Sequence, residues 1–166
     1  MKKSKAIRIA AMLAASIWLL SACAGRQVSM EEAPATVNPA EELNRFDNEI
    51  SNALKNQLNV LAPSSFAKAE GYLIGAKKAL ESRGELSQIL GMIALGRTQL
   101  QHAEEIAQVA RTTLPNVIKA RELARAAGAT SLDKDYVEAE EQFLGLTKAI
   151  ENNDLKYAQN NRERHA

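Results

Sequence analysis

The strongest constraint on the fold of this chain is a long run of residues whose spacing alternates between three and four. The run contains Leu86, Ile89, Ile93, Gly96, Leu100, Ala103, Ala107, Ala110, Leu114, Val117, Arg121 and Ala124. Only Gly96 and Arg121 interrupt its apolar character. Because this spacing aligns residues on one face of a helix, it predicts coiled-coil-like packing. We therefore expect an all-α fold of elongated, antiparallel helical hairpins that includes one long helix.

Pro115 lies inside this run. In isolation a proline would end a helix at the preceding residue, Leu114. The spacing nevertheless continues in phase through Val117 and beyond, which two separate helices have no reason to preserve. We therefore predict one helix from Leu86 to about Ala127, kinked at Pro115, with an antiparallel turn at Pro115 as the alternative.

The other apolar runs have the same spacing and are bounded by residues that favour helix ends. The three predicted helices run from Asn38-Pro39 to Ala62-Pro63, from Ser64 or Ser65 to Gly84, and from Asp133 or Asp135 to about Asn152. Asn, Ser and Asp side chains can accept hydrogen bonds from the free backbone N–H groups at a helix start. Together with the long helix, these segments make up a predicted helical domain over residues 39–166.

Two of these helices resemble each other when the chain is shifted by 70 residues. Ala69-Glu70 then falls on Ala139-Glu140, Gly75 on Gly145, and Lys78-Ala79 on Lys148-Ala149. Phe66 falls on Tyr136, which keeps an aromatic ring at the start of both helices. We interpret this as two helical-hairpin repeats, over about residues 59–128 and 129–166, of which the second is cut short.

The N-terminus has the layout of a secretory signal. Basic residues between Lys2 and Arg8 precede an apolar stretch from Ile9 to Leu20, which is too short to be relied on as a membrane-spanning helix. The stretch ends in Leu20-Ser21-Ala22-Cys23, which holds the single cysteine of the chain. We predict a signal peptide over residues 1–22, cleavage between Ala22 and Cys23, and a flexible tether over residues 23–38.

These four residues resemble the lipobox of bacterial lipoproteins, in which the cysteine receives lipid and becomes the new N-terminus. The resemblance implies that Cys23 is the lipidation site and that membrane lipid is a partner of the mature chain. Ala24 follows the cysteine in place of Asp, which by the same resemblance implies anchoring on the periplasmic face of the outer membrane of a Gram-negative cell. An ordinary signal with an incidental cysteine is the alternative.

A second resemblance concerns the start of the first repeat. Leu61-Ala62-Pro63 and the Phe66-x-x-Ala69 that follows resemble an Ala-rich helical segment of envelope lipoproteins, some of which also carry an OmpA-like peptidoglycan-binding domain. Leu61 stands where that signature has an aromatic residue, and the second copy lacks the proline. We expect no OmpA-like domain here, because the helical repeats occupy the available residues.

The side-chain inventory is poor in catalytic chemistry. His102 and Glu105 could share one helix face. We nevertheless expect a solvated histidine, because no other helix is expected to present a second histidine to it. Ser64-Ser65 is interpreted as a helix cap because no base is spaced to activate a nucleophile. Gly71 and Gly75 are interpreted either as surface glycines or as a second helix-contact surface. We therefore expect no catalytic residues, no metal site and no cofactor.

Charge limits the partners. Residues 1–22 contain four of the 21 basic residues and none of the 20 acidic ones, so the mature net charge is 17 − 20 = −3. A mildly acidic chain argues against nucleic acid as a partner. We expect a non-enzymatic scaffold or assembly domain that contacts an envelope protein or associates with itself through its helices. The alternative is a periplasmic carrier or chaperone that binds an apolar ligand or client between its helices.

Overall fold

The computed structural model of the chain describes residues 37–164, and these residues form seven α-helices and no strand. The helices are α1 (Pro39–Lys55), α2 (Leu58–Leu61), α3 (Pro63–Glu81), α4 (Leu86–Thr113), α5 (Pro115–Ala126), α6 (Lys134–Glu151) and α7 (Leu155–Asn161), followed by a 3-10 turn at Arg162–Arg164. The predicted all-α fold class is confirmed. Within the described part of the chain, no helix combines the length and the apolar character that crossing a membrane requires.

Helices α1, α3 and α4 form a three-helix core. Helices α3 and α4 are antiparallel: Gly75 lies beside Met92, and Tyr72 lies beside Gly96. Helix α1 contacts both of them, because the Phe46 ring reaches Gly96 and Lys77 Nζ lies 2.9 Å from an Asp47 carboxylate oxygen. The apolar sides of the three helices therefore share one buried interior.

Gly96 lies where the three helices come closest. A Cβ atom at this position would overlap the Phe46 ring at Cζ and would lie 3.1 Å from Tyr72 Cβ. The missing side chain therefore makes room for the Phe46 ring, which is fully buried. Gly96 interrupts the apolar run in sequence, but it is a core position in the structure.

The single helix predicted from Leu86 to about Ala127, kinked at Pro115, is divided into two helices at Leu114. Helix α4 ends at Thr113, Leu114 leaves the helical region with φ −119° and ψ 38°, and α5 begins at Pro115. Proline disfavours helical geometry in the residue before it, which explains why the break falls at Leu114. Only this residue leaves the helix: its N–H still donates to Ala110 O, and its carbonyl accepts from Ile118 N. The spacing therefore keeps its phase across the break.

The helix predicted from Asn38 to Leu61 is also divided. Helix α1 ends at Lys55, Gln57 adopts the left-handed region with φ 63°, and the short α2 follows. Leu54, which the spacing places on the buried face, is 50% exposed as a result. Arg111 supports this bend, because its Nη2 donates to the Asn56 carbonyl oxygen at 2.9 Å.

The predicted helix caps have mixed outcomes. Asn38 caps α1, and its Oδ1 accepts from Ala40 N at 3.0 Å. Asp133 occupies the N-cap position of α6, but its side chain makes no capping hydrogen bond there. The prediction that Ser64 or Ser65 caps α3 is wrong, because Pro63 already begins that helix and both serines lie in its first turn. A helix can begin one residue earlier here because proline suits the first helical position.

Helices α3 and α6, whose sequences match at an offset of 70 residues, end in the same way. Their last residues are Glu81 and Glu151. Each is followed two residues later by a left-handed residue, Arg83 with φ 56° or Asn153 with φ 60°. In both, the next N–H group donates back to an alanine carbonyl in the last turn, at 2.7 Å and 2.8 Å. This is the Schellman arrangement of a helix C-terminus.

Candidate interaction groove

A groove runs between α5 and the first half of α6, and we call it the α5–α6 groove. The two helices are antiparallel, since Arg121 pairs with Glu140, and Arg125, one turn later in α5, shares a groove lining with Tyr136, one turn earlier in α6. The groove has a volume of about 230 Å³ and is lined by Val117, Ala120, Arg121, Ala124, Tyr136, Ala139, Glu140 and Phe143. Its floor is apolar and made mostly of small side chains.

Arg121 holds this groove together. Its Nε and Nη2 donate to the two carboxylate oxygens of Glu140 at 2.7 Å and 3.0 Å, and its Nη1 donates to Gln57 Oε1 at 2.7 Å. The guanidinium carbon lies 5.2 Å from the centre of the Phe143 ring. The Arg121 side chain is only 10% exposed, so its charge is compensated by a two-pronged ion pair and a π-face. Arg121 thereby joins α5 to α6 and to the bend before α2.

A second groove lies on the other side of Arg121 and Tyr136. It has a volume of about 360 Å³ and is lined by Leu54, Gln57, Asn59, Val60, Arg121, Arg125 and Tyr136. Burial raises the pKa of the Tyr136 phenol, and the neighbouring Glu140 carboxylate adds to the effect. Tyr136 therefore stays neutral and separates a polar groove from an apolar one.

Few side chains of the helices around the α5–α6 groove are buried. Between residues 118 and 142, all of which the structure describes, no side chain is buried. Large apolar side chains are instead exposed in this stretch, at 61% for Leu123, 90% for Leu132 and 37% for Val137. Leu132 and Val137 line a separate groove together with Lys134, Glu138 and Glu141.

Sequence reasoning identified Arg121 only as an interruption of the apolar run. Its partner Glu140 belongs to a pair of adjacent glutamates that carried no pairing signal. The available signal was the charged residue within the apolar run, because such a residue needs a partner when its helix packs. Which helix supplies that partner depends on the tertiary arrangement.

The predicted site residues at the N-terminus, Ala22 and Cys23, lie outside the residues that the structure describes. His102 and Glu105 are exposed on α4, with Nδ1 3.7 Å from a carboxylate oxygen. Across residues 37–164 no group of three or more His, Cys, Asp or Glu side chains is placed to hold a metal ion.

The predicted cap and glycine positions have identifiable contacts. The N–H groups of Ser64 and Ser65 donate to the two carboxylate oxygens of Glu151, each at 3.0 Å. The cap of α3 is therefore supplied by the end of α6. Gly71 has open space around it, whereas a Cβ atom on Gly75 would lie 3.3 Å from Met92 Sδ. Gly75 thus contributes to packing within the core.

Comparisons of the chain with protein-family models, with curated proteins and with solved structures found no match. The α5–α6 groove is therefore characterised by its own geometry. It combines a floor made mostly of small apolar side chains with one compensated ion pair. This combination suits binding of another helix or polypeptide segment.

Proposed function

We propose that this chain is a lipid-anchored lipoprotein of the outer membrane whose helical domain is a non-enzymatic scaffold or assembly module on the periplasmic side. The anchoring part of the proposal rests on Leu20-Ser21-Ala22-Cys23 and on the basic and apolar residues before them. Lipid on Cys23 would hold the mature chain at the membrane, and the tether over residues 23–38 would leave the helical domain free to meet a partner.

The observation that carries the assembly part is the contrast between a closed core and an open groove. Within the three-helix core, Ala69, Ala76, Ala103 and Ala107 are fully buried. Small side chains at these positions allow the three helices to pack closely together. The α5–α6 groove lies beside this core, and its residues Ala120, Ala124 and Ala139 remain partly or fully exposed within residues 37–164.

The alternative function, a carrier that encloses an apolar ligand, has less support. A pocket that takes up a small molecule usually measures about 300–1,000 Å³ and buries most of the ligand. The apolar α5–α6 groove measures 230 Å³. The larger neighbouring groove, at 360 Å³, is lined by polar groups of Gln57, Asn59 and Arg125.

The anchoring part is tested by metabolic labelling with a fatty-acid analogue, followed by membrane fractionation. The wild-type chain should carry label and fractionate with the outer membrane, and Cys23→Ser should carry none. Ala24→Asp should move the labelled protein to the inner membrane. Label that persists in Cys23→Ser would show that this cysteine is not the anchor.

The assembly part is tested in cells with a photocrosslinking residue at Ala139, which is exposed in the α5–α6 groove. The matched control carries the same residue at Ala67, which is exposed on α3. We expect a discrete adduct with an envelope protein, or with a second copy of the chain, from Ala139 alone. Equal adducts from both positions would argue against a specific assembly surface.

A further inference from the structure

The second groove beside Arg121 and Tyr136, which we call the polar groove, gathers hydrogen-bond donors and positive charge in one recess. Its volume of about 360 Å³ lies within the usual range for small-molecule sites. Two arginines, a phenol, two carboxamides and two aliphatic side chains line it: Arg121, Arg125, Tyr136, Gln57, Asn59, Leu54 and Val60. None of these lining residues carries a carboxylate, so the recess favours an anion.

Arg121 is a fixed wall of the polar groove, because its side chain is only 10% exposed. Its Nε and Nη2 donate to Glu140, and its Nη1 donates to Gln57 Oε1. A guanidinium group has five N–H donors, so two of them have no acceptor among residues 37–164. The Glu122 carboxylate accepts from Gln57 Nε2 at 3.4 Å but does not belong to the lining.

Arg125, one turn later in α5, adds a charge that the fold does not compensate. None of the salt bridges within residues 37–164 includes it. Its charge nevertheless acts inside the groove: burial and the Glu140 carboxylate raise the pKa of the Tyr136 phenol, and the guanidinium groups of Arg121 and Arg125 oppose that rise. Since Arg121 is already paired with Glu140, the lining carries about one net positive charge.

We propose that the polar groove binds a carboxylate that carries an apolar group, as found in a polypeptide C-terminus ending in an apolar residue and in a small N-acylated amino acid. Arg125 pairs with the carboxylate, and the Tyr136 hydroxyl donates to it. A guanidinium group matches the planar shape of a carboxylate and can donate two parallel hydrogen bonds. This gives the proposed scaffold a ligand site in addition to the α5–α6 groove.

Charge and shape select this class of ligand. One net positive charge suits a singly charged carboxylate better than a doubly charged phosphate, which needs more cations or backbone donors. Leu54, which is 50% exposed, and the partly buried Val60 form an apolar wall of the same groove. An apolar group beside the carboxylate therefore has a surface against which to bury.

The test uses two ligands that differ only in charge. The isotopically labelled full chain in a non-ionic detergent is titrated with N-acetyl-leucine or with N-acetyl-leucinamide, and NMR spectra of the arginine Nε–H and backbone N–H groups are recorded. We expect the acid to shift the signals of Arg121 and Arg125 saturably. The amide should bind at least about tenfold more weakly, because hydrogen bonds to a charged group are the stronger ones.

Three variants locate the site. Arg125→Gln should weaken binding of N-acetyl-leucine by about tenfold, and Tyr136→Phe by about threefold, because it removes one neutral donor. Lys119→Gln removes the same charge from an exposed residue of α5 outside the lining and should bind like the wild type. Arg125 is also exposed, so its substitution should leave the circular dichroism spectrum unchanged.

A tetrapeptide that ends in leucine with a free carboxylate distinguishes the two sources of the ligand. Tighter binding of the peptide than of N-acetyl-leucine would identify a polypeptide C-terminus. Equal binding would identify a small organic acid.

The proposal is overturned by shifts that do not saturate, by equal affinity for the acid and the amide, or by unchanged affinity in Arg125→Gln. Inorganic phosphate that displaces N-acetyl-leucine at equal concentration would also overturn it, because the site would then take any anion. These measurements depend neither on lipid at Cys23 nor on crosslinking from Ala139, so the ligand site and the proposed function can fail separately.

Discussion

The three-helix core and the distal pair, which we define as α5 with residues 134–143 of α6, have the same spacing of apolar residues but different interiors. In the core, this spacing buries Phe46, Ala69 and Ala103 completely. In the distal pair, Val117 and Phe143 are buried at one end, and every side chain between residues 118 and 142 retains some exposure. A three-four spacing therefore identifies the face of a helix that can be buried, and the number of neighbouring helices decides whether it is.

The two regions also hold their helices together differently. The core closes over small residues, most tightly at Gly96, where there is no room for a Cβ atom. The distal pair relies on Arg121, which is paired with Glu140 and lies over Phe143. Two helices alone cannot enclose an apolar interior, and the desolvation of the charge between them is offset by the two-pronged ion pair and the aromatic ring.

The largest difference should appear when the same substitution is made at equivalent positions of α3 and α6. Ala69→Lys would bury an unpaired charge at a fully buried site and should destabilise the fold by about 4 kcal/mol or more. Ala139→Lys, at the exposed counterpart, should change stability by less than about 0.5 kcal/mol. Urea unfolding followed by circular dichroism measures both. Similar losses would mean that α6 is covered as fully as α3.

A smaller difference is expected between two helix glycines. Gly96→Ala should cost about 1–3 kcal/mol, because the new methyl group would overlap the Phe46 ring. Gly145→Ala, which has open space around it, should stabilise α6 by about 0.5–1 kcal/mol through helix propensity. Melting temperatures should move in opposite directions. A neutral Gly96→Ala would show that α1 can shift away from α4 without penalty.

For ion pairs, we expect the stronger coupling in the distal pair, whereas the more tightly packed apolar contacts are in the three-helix core. A double-mutant cycle of Arg121→Gln and Glu140→Gln should give a coupling energy of about 1–2 kcal/mol, because the two side chains are only 10% and 22% exposed. The pair Arg97–Glu49 in the core, at 35% and 40% exposed, should give less than about 1 kcal/mol. Equal couplings would remove the special role that we assign to Arg121.

The smallest expected effect concerns acid. Hydrogen bonding to Arg97 holds the pKa of Glu42 below its ordinary value of 4.5. A carboxyl group whose folded pKa is lowered stabilises the fold above its unfolded pKa, and that stabilisation is lost as pH falls through the folded pKa. Unfolding at pH values on either side of 4.5 should therefore show a loss for the wild type, of less than about 1 kcal/mol, that Glu42→Gln lacks. An identical acid response in the variant would assign the loss to other carboxylates.

Much of the fold could be predicted from local pattern. The spacing from Leu86 to Leu114 identified the buried side of α4, and Asn38-Pro39 identified the start of α1, because both signals act within a few residues. The break at Leu114 was missed because only one residue leaves the helix, so the phase on either side agrees. The bend at Gln57 was missed because nothing nearby in sequence forces its left-handed backbone; Arg111, which donates to the Asn56 carbonyl, and Arg121, which donates to Gln57 Oε1, lie far along the chain.

Residue spacing and helix-end residues were enough to predict the helical segments, the apolar side of each helix and the sequence similarity of α3 and α6. These properties follow from residue spacing and capping, which depend on neighbours within one or two turns. The tertiary structure alone decided that Glu151 caps α3, that Arg121 pairs with Glu140, and that Ala69 is buried while Ala139 is exposed. Each of these depends on which helix lies opposite. The similar sequences of α3 and α6 do not indicate that only one of them has a neighbouring helix at that position.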